Sequence, residues 1–241
     1  MDRTLTARPF DPQNYSLEQL CGRIFVRHKD RIRVRKPQAA IANLAKIVQT
    51  FLKLTNRKGF HATSLRELSE AAELSMGGLY SYFDSKDTLL LMILGEVDST
   101  MREVLDAVPT AIRADPLKNL HWVIEAHIRL TEVMQPWFVF VYMEAKSFPP
   151  SARLAAINSE RLVEGVLEEI IESGRAAGRF AVDDPVLTAS LIKPLLQDWY
   201  VKRSKYRRRN ISIDRYIQRV TAIVEAAVEL RGCVSVGTAN Q

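Results

Sequence analysis

Residues 64–87 read SLRELSEAAELSMGGLYSYFDSKD and carry three helix starts within two dozen positions. Ser64 stands three residues before Glu67, the spacing of a capping box, in which hydroxyl and carboxylate each satisfy an otherwise orphaned backbone amide. From there Leu65, Leu68 and Ala72 fall on one face at helical spacing. Glu73 and Leu74 leave room for a turn, and Ser75 caps a second helix predicted over Met76–Phe83, with Leu79 and Phe83 directed inward. Asp84 or Ser85 caps a third helix that has Lys86 in its first turn. Two short helices joined by a tight turn make a helix-turn-helix, whose second helix enters the major groove of DNA.

Charge placement agrees with a polyphosphate partner. The 241-residue chain carries a net +6, and residues 1–36 hold nine basic against four acidic groups, so +5 of that excess lies just before the helix-turn-helix. Within it, KDRIRVRK (29–36) reads either as a solvated linker or as a basic arm touching the DNA backbone or minor groove. Cys21 and Cys233 are too few for a disulfide framework or a cysteine metal site. No stretch is apolar over the ~20 residues a membrane span requires, and no apolar leader opens the sequence, so the expected location is the cytoplasm. Neither a phosphate-binding glycine loop nor a nucleophile elbow, metal cluster or catalytic carboxylate pair is present, so an enzyme is not expected and no cofactor or metal is assigned.

The remaining periodicity is helical throughout. A capping box at Ser16 and Gln19 opens a short helix with Leu17, Leu20 and Ile24 on one stripe. Pro37 starts a helix through Ile41, Leu44, Val48 and Leu52 that ends at Lys58-Gly59. A long helix follows Lys86 as far as about Val108, and Pro109 and Pro116 flank a break. Later helices are expected from Asp115-Pro116, over WFVFVYMEA, from Ser151 to about Gly174, from Asp184-Pro185 with a kink at Pro194, and from Ser212 or Asp214. No alternating apolar run supports a strand. The expected fold is all-α: a basic extension (1–36), a three-helix DNA-binding domain (37–95), a helical effector-binding and dimerisation domain (96–232) and a tail (233–241).

The order KGF, Thr63-Ser64, Leu65/Leu68, Ala71-Ala72, Leu74-Ser75, Gly78-Leu79-Tyr80, Tyr82-Phe83 and Ser85-Lys86 before a leucine run strongly resembles the DNA-binding domain of the TetR family of bacterial transcriptional repressors. The likeness spans about residues 40–95; the rest matches only as a divergent helical ligand-binding and dimerisation domain. Two positions depart from the family pattern: Glu73 stands where the turn normally has glycine, and Tyr82 where histidine is usual. The resemblance implies that Thr63 or Ser64, together with Lys86, contacts phosphate, that Tyr80 and Tyr82 reach phosphates or thymine methyls, and that Ser75, Met76, Gly77 and Ser81 line the reading face. Phe83 reads as core. The resemblance further implies a homodimer on a palindromic operator, released by a small effector; the alternative is an architectural DNA-binding protein without one.

Candidate effector-pocket residues are Trp122, His127, Met134, Trp137, Phe138, Tyr142 and Phe148, an aromatic set that plain core packing would equally explain. Glu125 and Glu144 are candidate polar anchors. His121 and Glu125, four apart, lack the third ligand a metal site needs. Six cations crowd residues 202–209. They read as a solvated face, or, because LLQDWYVKRSKYRRRNISIDRYI resembles regulators that sense acyl-CoA thioesters or lipid catabolites, as a grip on CoA phosphates. Leu191, Leu195, Ile217, Val224 and Val228 fit either a dimer seam or an intrachain core.

Overall fold

The computed structural model describes residues 9–229; Leu230, Cys233 and the expected tail at 233–241 lie outside it. Among the described residues the secondary structure is helical, with one isolated bridge between Phe180 and Glu229 in place of any strand. Among the described residues no helix is long and apolar enough to cross a membrane.

A short 3-10 turn (Pro12–Tyr15) leads into α1 (Leu17–Arg27), capped by Ser16 as its sequence anticipates. Helix α2 (Pro37–Lys58) starts on its proline and stops at Gly59, whose φ of 93° is open to glycine at no steric cost. Helices α3 (Leu65–Ala71) and α4 (Met76–Leu79) are capped by Ser64 and Ser75, and α5 (Lys86–Asp106) by Ser85. Leu20, Cys21, Ile24 and Phe25 of α1 are buried, and the helix packs on α2 and α5. Arg27 pairs at 2.8 Å with Glu96, a carboxylate with no exposed side-chain surface, while Arg23 and Tyr15 both bond Glu103. Residues 15–27 are thus fastened to α5. The alternating charges of KDRIRVRK are docked as well: Ile32 is buried, and the Arg33 amide donates to the Ser81 carbonyl at 2.8 Å.

The second half contains α6 (Thr110–Arg113), α7 (Pro116–Val133), α8 (Gln135–Glu144), α9 (Pro150–Ala176), α10 (Pro185–Val201), α11 (Arg203–Arg208) and α12 (Ile213–Val228). Asp115 and Asp184 cap α7 and α10 ahead of their first-turn prolines. Helix α10 continues through Pro194 and ends at Val201, so α11 is a separate element rather than an extension toward Tyr206. Helices α7, α9 and α10 pack against one another, with α5 and α12 outside them. Ile217, Val224 and Val228 are buried within the chain, leaving Leu187, Leu191 and Ile223 as the exposed apolar stripe of α10 and α12.

After α9 the chain doubles back so that the Phe180 ring lies over Gly174, and the Ala181 amide bonds the Val228 carbonyl. A Cβ on Gly174 would sit 2.0 Å from that ring. Gly174→Ala is therefore expected to cost about 1–3 kcal/mol through overpacking, read as a lowered midpoint in urea unfolding. An unchanged midpoint would mean the Phe180 loop yields freely.

Candidate DNA-reading head and ligand cavity

In the helix-turn-helix, Ser64 Oγ accepts from the Glu67 amide at 3.2 Å and Ser75 Oγ from the Gly78 amide at 3.0 Å. Glu73 occupies the turn with φ +52°, the left-handed region that a side chain disfavours. Its carboxylate bonds Lys46 at 2.5 Å, which holds its pKa low, and the Leu74 amide returns to the Ser69 carbonyl. The turn normally closed by glycine is therefore closed here by a strained acidic residue tied to α2.

The recognition segment is shorter than its sequence suggests. Regular helix ends at Leu79 instead of Phe83, because Gly77 and Gly78 favour helix weakly and Ser81 Oγ bonds the Gly78 carbonyl at 2.6 Å. Tyr80 and Gly77 are exposed and Met76 and Ser81 half-buried, so this face presents a ring, a thioether, a hydroxyl and bare backbone. Three residues expected to touch DNA are otherwise occupied. Tyr82 is 2% exposed and packs in the core beside Phe83. Thr63 is fully buried, its hydroxyl donating to the Gly59 carbonyl. Lys86 donates to the Phe60 and Thr63 carbonyls and lies 4.3 Å over the Phe60 ring, leaving one of its three N–H groups free. These residues hold the α2–α3 connection. Of the residues expected to touch DNA, Ser64, Ser75, Met76, Gly77, Tyr80 and Ser81 remain exposed or half-buried at the surface.

The Arg33–Ser81 bond brings Arg31, Arg33, Arg35 and Lys36, all exposed, alongside that face. Replacing Arg31, Arg33 and Arg35 together by Gln is expected to weaken DNA binding and to flatten its dependence on log salt by about 0.9 for each phosphate no longer neutralised. An unchanged slope would return the segment to solvated charge.

In the second half, a cavity of about 130 Å³ lies between α5, α8, α9 and α10. Phe138 and Tyr142 line it, as their sequence suggests, but the other five candidates do not. Trp122 and Met134 are buried in core packing, and Phe148 joins Phe60 and Phe140 in a ring cluster. Trp137 faces a different hollow, of about 410 Å³, beside Tyr15, Leu17 and Lys53. His127 stands behind the wall, with Nε2 3.2 Å from Lys193 Nζ. Helical spacing did not single out Val97 and Met101 of α5, Ala156, Ile157, Ser159, Glu160 and Val163 of α9, or Lys193, Gln197 and Tyr200 of α10. One signal was available: Lys193 is the lone charge in the run LTASLIKPLL.

Lys193 is 5% exposed, and burial brings its pKa down to about 8 against the opposing fields of Glu160 and Glu164. Burial and then the Lys193 charge hold His127 well below its ordinary value, so it is neutral. The ammonium donates to Nε2, placing the imidazole proton on Nδ1, which is buried without a partner. Glu160 is held by Gln197 at 2.8 Å. The candidate anchors Glu125 and Glu144 lie elsewhere, the first on Arg129. His121 faces Glu225, and no group of three metal-ligating side chains occurs among the described residues.

Helix α8 joins the two halves. Its Phe138, Val141 and Tyr142 line the cavity, while Glu144 at its end accepts the Phe60 amide at 2.8 Å. Asn56 of α2 bonds the Pro136 carbonyl at 2.9 Å, and the Phe140 ring meets Phe51 edge-on at 5.6 Å.

Comparison with known proteins fits this geometry. Residues 47–93 match the model for bacterial regulatory proteins of the tetR family, and residues 113–202 match that of a tetracyclin repressor-like C-terminal domain. The HTH-type transcriptional regulator HbdR of Aromatoleum sp. (strain CIB) is 22% identical over 202 residues, covering 83% of this chain and 86% of its own. A tetR-family regulatory protein from Rhodococcus RHA1 superposes with a TM-score of 0.67 at 22% identity, over 77% of this chain and 96% of that one. FadR from Bacillus subtilis, solved with stearoyl-CoA, gives 0.59 at 14% identity, over 76% of this chain and 98% of that one. With a helix-turn-helix, a helical second domain and both family models matched in order, the chain belongs to the TetR family and is a DNA-binding transcriptional regulator.

Proposed function

We propose that this regulator is a repressor that binds a palindromic operator as a homodimer and lets go when a small effector with an apolar body enters the cavity between α5, α8, α9 and α10. The observation that carries this reading is α8, which walls the cavity with one stretch and holds the α2–α3 connection with Glu144. A ligand acts only through a difference in affinity between two conformations. A shift of α8 on filling the cavity would move Phe60, and with it Thr63, Lys86 and the reading face.

The exposed stripe of Leu187, Leu191 and Ile223 supports self-association through α10 and α12, which would set two reading heads on successive half-sites. The cavity favours an effector-responsive regulator over an architectural one. Its volume of about 130 Å³ also favours a small effector over a CoA thioester. Lys202 and Lys205 are paired with Asp198, Arg203 is paired with Glu132, and none of residues 202–209 lines the cavity.

Selection from a random duplex pool tests the DNA-reading part. The protein should enrich a two-fold symmetric sequence whose half-sites lie about one helical turn apart. Enrichment of a single unpaired half-site would refute the dimeric reading, and no enrichment would refute the operator.

A further inference from the structure

The end wall of the cavity is chemically unusual. Lys193 is a buried ammonium whose one hydrogen-bond partner among the described residues is His127 Nε2, at 3.2 Å. An ammonium has three N–H donors, and burying them unpaired is costly. Neither Glu160 nor Glu164 comes within 4 Å of it, and the Glu160 carboxylate is held by Gln197. Those two acids ease burial of the positive charge from a distance and leave its donors open. His127 is a neutral acceptor locked behind the wall, so it fixes the direction of the amine without neutralising it. The other side of the cavity is apolar, with Val97, Met101, Phe138 and Val163. Its volume of about 130 Å³ is near that of a cavity that holds benzene.

We propose that the cavity takes a small carboxylic acid of about the size of a benzene ring or a short alkyl chain, with its carboxylate against Lys193 Nζ and its apolar body against α5 and α8. The assignment rests on the ligand-responsive reading above and adds the effector's chemical class. A charge-assisted hydrogen bond from the ammonium to a carboxylate is about twice as strong as one to a neutral amide carbonyl, so the site discriminates between the two. His127 is a positioning residue in this arrangement, and Lys193 is the group that meets the ligand.

Isothermal titration of the full chain with benzene, benzoate, benzamide and benzylamine tests it. The four probes share a ring and differ only in the group presented to Lys193. Benzoate is expected to bind at least about tenfold more tightly than benzamide, which is a difference of about 1.4 kcal/mol, and benzylamine more weakly still. Lys193→Met should erase that preference while leaving benzene binding intact, which also reports a folded cavity. Lys193→Gln, which keeps a donor without the charge, should bind benzamide and benzoate alike. Benzoate no better than benzamide, tighter binding of benzylamine, or an undiminished preference in Lys193→Met would each overturn the carboxylate assignment while benzene binding preserves the cavity. Failure of all four probes, benzene included, would overturn the cavity reading with it.

Discussion

Tyr80→Ala is expected to weaken binding to the selected operator by about a hundredfold, roughly 2.7 kcal/mol, without lowering the melting temperature. Tyr80 stands at the C-terminal cap of α4 and is 45% exposed, so its ring is not part of the packing that holds the helix-turn-helix. Leu79 and Phe83 do that work from the opposite side and are buried. A large, rigid, amphipathic side chain carries contact energy at small entropic cost, which is why truncating one in an interface is usually expensive. Gly77 and Gly78 beside it contribute backbone only, concentrating the effect on Tyr80. Fluorescence anisotropy with labelled operator reads the affinity, and thermal denaturation checks the fold. Tyr80→Phe divides the effect between ring and hydroxyl. Binding unchanged in Tyr80→Ala would remove α4 from the interface.

Lys193→Met should be more stable than the parent at pH 7, and the gap should close as pH rises toward 10. The pKa of Lys193 in the folded chain is about 8, below the value of about 10.4 for an exposed lysine. Below pH 8 the amine is charged in both states, and the folded chain bears the whole cost of a buried ammonium. Between the two values the unfolded state binds more protons, so the stability of the parent rises with pH, by up to about 3 kcal/mol. Methionine fills nearly the same volume with no proton to lose, so the difference between the two proteins isolates this group. Thermal denaturation at pH 7 and pH 10 gives the comparison. A gap that stays constant would show that Lys193 keeps its ordinary ionisation and is relieved by water or by Glu160.

Capping chemistry makes the helix order readable from the sequence: Ser16, Ser64, Ser75, Ser85, Asp115, Asp184 and Ser212 each cap the helix they precede. Caps are local, and a sequence displays them directly. Side-chain direction around a distorted turn is not local. Tyr82 follows the end of regular helix at Leu79, so the spacing that would have put it on the DNA face no longer applies, and the ring turns into the core. Lys86 shows a different limit. Its place at a helix start suits a phosphate, yet the carbonyls of Phe60 and Thr63, more than twenty residues away in sequence, reach it first.

The cavity was less legible still. Aromatic residues of α7 and α8 are conspicuous in sequence, but a cavity forms where packing is incomplete, and that depends on four helices meeting. Small residues such as Ala156 leave the space, while Trp122 and Phe148 fill theirs. Lys193 could have been singled out as a charge placed among apolar residues. Its partner His127, sixty-six residues earlier, could not be paired with it from spacing alone.

The central claim is that α8 couples the cavity to the reading head, and coupling between two sites is reciprocal. Hydrogen–deuterium exchange measured with and without the selected operator therefore tests it directly and requires no knowledge of the effector. Operator binding is expected to change amide protection in Trp137–Glu144, at Phe60 and in the cavity-facing turns of α9 and α10, as well as in α3 and α4. Changes confined to residues before Val97, with α8 through α10 exchanging identically in both samples, would contradict the account.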